Sequence, residues 1–191
     1  MLITITGKSG SGKSCISEYL AEIDSRIVTL HIDKIGHRVI EKSDVAKRII
    51  REFNLNPNSE KVSRDELGEI VFNNRNKMKM LSDITWSFME QDIEEFIKDD
   101  PSRIIILDWL LIPRTDFFKK ADLNILVTAS FDERLKRAMK RDNITREKFI
   151  EREKASIDFN QNDFDYIINN EEKEQTKRMV KKIYDKSIIS R

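Results

Sequence analysis

Glycine is scarce in this sequence: there are five in 191 residues. Three of them, Gly7, Gly10 and Gly12, fall inside one six-residue window. Glycine loses the most backbone freedom on folding and is used where φ must be positive or a ligand must approach the main chain, so a cluster in a glycine-poor chain marks a loop built for contact. Cysteine is scarcer still. Cys15 stands alone, which excludes an intramolecular disulfide and a cysteine-built zinc centre, and a cytoplasmic chain is the natural reading. An excess of either charge is missing as well. The 35 basic and 34 acidic residues leave a net charge of +1, so no broad field recruits nucleic acid or an anionic membrane, and no basic stripe interleaves with aromatics as single-strand platforms require. Long apolar runs are absent too: no stretch approaches the roughly 18 residues of a membrane span. "MLITIT" lacks a basic n-region and is too short for a signal segment, so no membrane partner is expected.

What is present is a chain with 39% hydrophobic and 36% charged residues, the composition of a helix-rich globular protein with much solvated surface. Its length suits one core with a modest insertion. Short apolar runs at residues 2–6, 26–33, 102–109, 122–129 and, more weakly, 165–169 read as strands. Helical periodicity fills the intervals: residues 13–24, a strand-poor stretch of four helical runs ("KIGHRVIEK", "DVAKRIIREF", "RDELGEIVF" and Asn76 to Lys98), an arginine-dense segment after the fourth strand, and residues 171–188. Strands alternating with helices predict an α/β fold with a parallel, doubly wound sheet.

"GKSGSGKS", residues 7–14, fits G-x-x-x-x-G-K-[ST] at every fixed position, behind a strand and ahead of a helix. Each residue type has a physical task. Gly10, Ser11 and Gly12 turn backbone N–H groups toward phosphate oxygens, the helix start adds its positive dipole end, Lys13 bridges the β and γ phosphates, and Ser14 offers a hydroxyl to Mg²⁺. Such a cradle alone does not distinguish a kinase from a GTPase, a motor or a nucleotide-gated switch. A guanine-specific N-K-x-D is not found after the fourth strand. Arg134, Arg137, Arg141, Arg146 and Arg152 instead suit a lid that closes cationic groups over a transferring phosphoryl group, although interleaved glutamates also fit a solvated helix. Asp33, just past the second strand, is either the carboxylate that phosphoryl transfer to a hydroxyl needs or a helix N-cap. Cys15 reads as a small packing residue, or as a thiol sharpened by the helix start beside Lys13.

"ITGKSGSGKS", "HIDKIGHRVIE", "SRDELGEIVFNN", "LSDITWSFMEQDIEEFI", "IIILDWLL", "KRAMKRDNIT" and "DYIINN" occur in the order and at about the spacing of dephospho-CoA kinase, which the chain resembles from residue 1 to about 185. The resemblance implies a P-loop NTPase fold with a five-stranded parallel sheet flanked by helices. Three parts follow from it: a nucleotide-binding core at 1–33, 101–140 and 161–191, a helical acceptor-binding domain at 34–100, and a lid at 141–160. It implies transfer of the ATP γ-phosphate to the ribose 3′-hydroxyl of dephospho-CoA by a monomer or weak homo-oligomer acting on small molecules. Residue by residue, Asp33 resembles the family's catalytic acid, and His37 falls where the family tends to place a basic or imidazole group, both on the acceptor side. Lys13 and Ser14 match the phosphate and Mg²⁺ ligands, and Cys15 holds a position usually given to threonine at the nucleotide. Arg141 matches the arginine of the R-D-G at the lid, Arg152 a second lid arginine, and Asp108 the acid closing the third strand near metal or acceptor.

The chain also departs from that pattern. Lys8 replaces a loop glycine; Thr85, Trp86 and Ser87 stand where a threonine-histidine-proline is usual; Leu110 and Arg114 replace a proline and a glutamate; Ser156 stands nearest an expected glutamine; and His31 replaces the first acid of D-A-D. Most of these changes gather on the acceptor side, which leaves open a kinase of another nucleoside or nucleotide and a nucleotide-binding homologue without activity.

Overall fold

The computed structural model describes residues 1–59, 61–72, 74–154 and 156–189. Single positions within 34–100 and 141–160, and the last two of 161–191, lie outside the described residues. The chain divides into two compact units, Met1–Leu30 with Ser102–Arg191, and His31–Pro101.

In the first unit, β1 (Leu2–Thr6) leads to helix α1 (Lys13–Ile23) and then to β2 (Ile27–His31). The predicted second strand ran to residue 33, but Ile32 and Asp33 already belong to a helix. Ile32, Ile35 and Val39 are buried at helical spacing there, and a helical face cannot begin inside a strand whose side chains alternate. In the second unit α2 (Ile32–Glu41), α3 (Ser43–Phe53) and α4 (Arg64–Phe72) each pack against the long α5 (Arg75–Asp99), and the four helical runs of the sequence fall on these four helices. Asn74 starts α5 by accepting the N–H groups of Asn76 and Lys77, both at 3.1 Å, a side-chain cap for donors the first turn cannot satisfy itself. Val39, Ile49, Ile84 and Ile93 are among the buried residues of this second unit.

Back in the first unit come β3 (Ile104–Asp108), α6 (Asp116–Lys120), β4 (Leu123–Thr128), α7 (Phe131–Asp142), α8 (Arg146–Lys154), β5 (Tyr166–Asn169) and α9 (Lys173–Ile183). The sheet order is β2-β3-β1-β4-β5, and β1 pairs in parallel with β3 and β4, as β4 does with β5. This is the five-stranded parallel sheet the sequence predicts. All five residues of β3 are buried, as in parallel sheets covered on both faces. Ile3, Ile5, Ile16, Leu20, Ile106, Ile125 and Val180 form part of one cluster that fixes α1 and α9 on the sheet. Its consequence is positional: β1, gripped on both sides, delivers the loop after Thr6 to the carboxyl edge, where open α/β sheets bind ligands. Among the described residues no helix is long and apolar enough to cross a membrane.

Candidate active site

The loop between β1 and α1 is shaped by its glycines. Gly10 has φ 80° and Gly12 φ 94°, values that side chains strain to adopt. Space is closed as well: a Cβ at Gly10 would land on the Arg134 carbonyl oxygen and one at Gly12 on the Asn170 amide. Inside the turn, Ser11 N donates to the Lys8 carbonyl at 3.1 Å and Lys13 Nζ to the Gly7 carbonyl at 3.0 Å. Helix α1 begins at Gly12 with no side-chain cap and no acid in its first turn. Many helices satisfy those N–H groups with a side chain or complement the dipole with a carboxylate; α1 has neither in its first turn. The Ser11 hydroxyl is fully buried and has no hydrogen-bond partner among the described residues.

Two residues from distant strands complete the loop. Register sets Asp108 beside Ile5, and its carboxylate accepts the Ser14 hydroxyl at 3.1 Å. Asn170, the first residue past β5, is buried and donates from Nδ2 to the Ser11 carbonyl at 2.9 Å. Sequence reasoning passed over Asn170; a polar residue directly following a buried strand is the signal that points to it. Arg137 reaches the same carbonyl at 3.5 Å while pairing with Glu133. Cys15, half-buried, lies one helical turn from Tyr19, and a hydrogen bond between them is the chief reason the Tyr19 hydroxyl is pushed up to about 12.

The predicted lid arginines Arg141 and Arg152 converge on one carboxylate. Asp142 accepts Arg141 Nε at 2.7 Å and Nη2 at 3.0 Å, and Arg152 Nη1 at 2.6 Å. Asn143 turns the chain there in the left-handed region, φ 51°, closing α7 as asparagine and glycine can. The Arg141 hydrogen bond, helped by Arg152 and opposed by partial burial, holds the Asp142 carboxyl down to about 2. A group whose folded pKa is depressed contributes stability above its ordinary value of 3.8 that is lost as pH falls through the folded one. The thermal midpoint of Asp142→Asn is therefore expected to lie below that of the unaltered protein near neutral pH, and the two to converge between about pH 4 and pH 2. A gap that persists at pH 2 would refute this clamp.

Arg134, in the same arginine group, is buried in an ion pair with Glu153. In the second unit, Asp33 lies in the first turn of α2 and His37 one turn later, both exposed and on one face at i, i+4 spacing. The Thr85 hydroxyl turns back onto the Leu81 carbonyl at 2.9 Å inside α5, while Arg114 is exposed in a 3₁₀ turn. The structure thus brings together Gly10, Ser11, Gly12, Lys13, Ser14 and Asp108 around the loop, and Arg141 with Arg152 around Asp142.

Comparison with known proteins gives a consistent result. A family model described as dephospho-CoA kinase matches residues 1–176. A dephospho-CoA kinase of Fusobacterium nucleatum is 33% identical over 150 residues, 77% of this chain and 76% of that one. One from Aquifex aeolicus is 28% identical over 190 residues, 96% and 95% of the two chains. A crystal structure from Thermus thermophilus shares the fold with a TM-score of 0.84 at 22% identity, covering 98% of this chain and 97% of that one.

Proposed function

The chain belongs to the dephospho-CoA kinase family, and we propose that it transfers the terminal phosphate of ATP to the ribose 3′-hydroxyl of dephospho-CoA with the residues gathered at the phosphate loop. It is a phosphotransferase that uses ATP. The observation that carries the division of labour is the loop itself: two glycines in the left-handed region, a helix start without a cap of its own, and Lys13 folded back over Gly7. Such a cradle holds three phosphates by backbone donors and one ammonium.

The Ser14 hydroxyl and the Asp108 carboxylate, 3.1 Å apart, are the hard oxygen donors that Mg²⁺ favours, so these two residues would hold it. Bound there, Mg²⁺ would neutralise charge developing on the phosphate oxygens. Asp33 takes the proton of the acceptor hydroxyl as that oxygen attacks the γ-phosphorus in line; the bond to the β-phosphate oxygen breaks and ADP leaves. His37, one turn along the same face of α2, serves the acceptor together with Asp33 and Asp108, and residues 34–100 form the acceptor-binding part. Arg141 and Arg152 exchange the Asp142 carboxylate for oxygens of the transferring group, since a guanidinium holding a carboxylate bidentately presents the same fork to a phosphate. The reaction belongs to the cytoplasm and involves small molecules alone.

The test is ADP release from ATP and Mg²⁺ with dephospho-CoA, against reactions without acceptor and with adenosine or AMP. Release that requires dephospho-CoA is expected. Release with another acceptor in its place would show that Trp86, Leu110 and Arg114 belong to a changed acceptor site.

A further inference from the structure

Among the described residues Arg134 is the one buried cation, and phosphoryl transfer as derived above makes no use of it. Its guanidinium lies 5.9 and 5.8 Å from the ring centres of Phe131 and Phe149, which themselves meet edge to face. It gives Glu153 two hydrogen bonds, 2.7 and 2.9 Å, and reaches the Ser9 carbonyl at 3.4 Å. Glu153 in turn leads back to the same loop. Lys8 Nζ lies 3.1 Å from its carboxylate. Lys8 also pairs with Asp158 at 3.1 Å, but that side chain is 99% exposed, so the second pair adds little.

The contrast between these pairs decides which one matters. Glu153 is 21% exposed, Arg134 8% and Lys8 26%, and a bidentate, partly desolvated three-member network is the kind of ion pairing that does more than a surface pair. The Arg134 hydrogen bond chiefly, with Lys8 helping against burial, keeps the Glu153 carboxyl below its usual range, so it stays charged at neutral pH. Helix α8 carries Glu153, and the next residue before it is Arg152, to which the reading above gives a phosphate. Phe149, wholly buried, fixes the same helix from inside.

We infer that Glu153 is a positioning residue for phosphoryl transfer: by gripping Lys8 and Arg134 at once it fastens the first half of the phosphate loop to helix α8, so that the loop and Arg152 are set in place together. The inference rests on the reading of the loop as the triphosphate cradle. Its consequence is that ATP meets a loop already ordered by the lid helix, and that loosening the tie weakens ATP capture more than it slows the chemical step.

Lys8→Met is the cleanest probe, because it removes the loop's end of the tie and leaves the buried Arg134–Glu153 pair whole. The expected result is a KM for ATP raised about fivefold with kcat within about twofold, an unchanged thermal midpoint, and amides of residues 149–154 that exchange about fivefold faster without nucleotide. Lys8→Arg, which keeps the charge, is expected to restore both. Glu153→Gln should raise KM at least as far and lower the midpoint too, since Arg134 is left buried without its anion. Adding Lys8→Met to Glu153→Gln should raise KM no further, because both remove one interaction. Unchanged KM and unchanged exchange in Lys8→Met, or a multiplicative double variant, would overturn the inference. If the unaltered protein fails to phosphorylate dephospho-CoA, the functional reading falls, while the exchange comparison still decides whether the tie exists.

Discussion

Asp33→Asn is expected to lower phosphoryl transfer by about 10²–10⁴-fold, the range for removing a positioned general base, while ATP affinity stays within about twofold. The substitution keeps size and the capacity to hydrogen-bond, and an asparagine in the first turn of α2 disturbs neither the buried Ile32, Ile35 and Val39 nor the packing of α2 on α5. What it removes is a group able to accept a proton. The separation of the two readouts follows from the proposed division of labour, in which Gly10 to Ser14 hold the triphosphate and Asp33 lies outside that stretch. Initial rates with saturating dephospho-CoA, alongside a nucleotide titration, check both halves. Transfer within tenfold of the unaltered enzyme would remove Asp33 from the chemistry and leave it as a helix-start residue.

Gly12→Ala is expected to weaken ATP binding by about 100-fold and to destabilise the fold by about 3 kcal/mol. Two effects add. At φ 94° an alanine is strained by about 1–2 kcal/mol. Its Cβ would also sit on the Asn170 amide, so that side chain has to move and its 2.9 Å bond to the Ser11 carbonyl is weakened or lost, at about 1 kcal/mol. The affinity loss arises separately, because N–H groups aimed at a phosphate lose alignment together. Urea unfolding and ATP titration measure the two quantities. Denaturation unchanged to within about 0.5 kcal/mol would mean the loop relaxes around the methyl group without cost, and that Asn170 does not fix it.

These two variants probe residues that were legible to different degrees. The loop was readable because its function is local: eight consecutive residues make their own turn, and the strand before and helix after them show their periods without help. The same holds for α2 to α5, whose apolar spacing fixes helical faces whatever they pack against. Asp33 was legible as a residue but not as an element. The apolar run of β2 continued smoothly into Ile32, and only the burial of Ile35 and Val39 on one face shows that the helix has already begun.

The arginines mark where reading by residue type reached its end. Residue type left five equivalent as lid candidates, yet four of them divide. Arg134 is held by Glu153 between two phenylalanines, Arg137 reaches the loop backbone, and Arg141 with Arg152 closes on Asp142. Residue type does not distinguish them, because each has an acid within a turn or two.

By itself, the sequence determined the parallel α/β architecture and the P-loop of residues 7–14 between β1 and α1, since each depends on residues adjacent in the chain and on hydrogen bonds the backbone makes with its neighbours. The tertiary structure alone decided which remote groups finish the loop. Asp108 meets Ser14 across 94 positions, Asn170 meets Ser11 across 159, and Glu153 meets Lys8 across 145. Hydrophobic periodicity says which face of an element is buried but not which element covers it, so polar partners brought together by strand order and register leave no local trace.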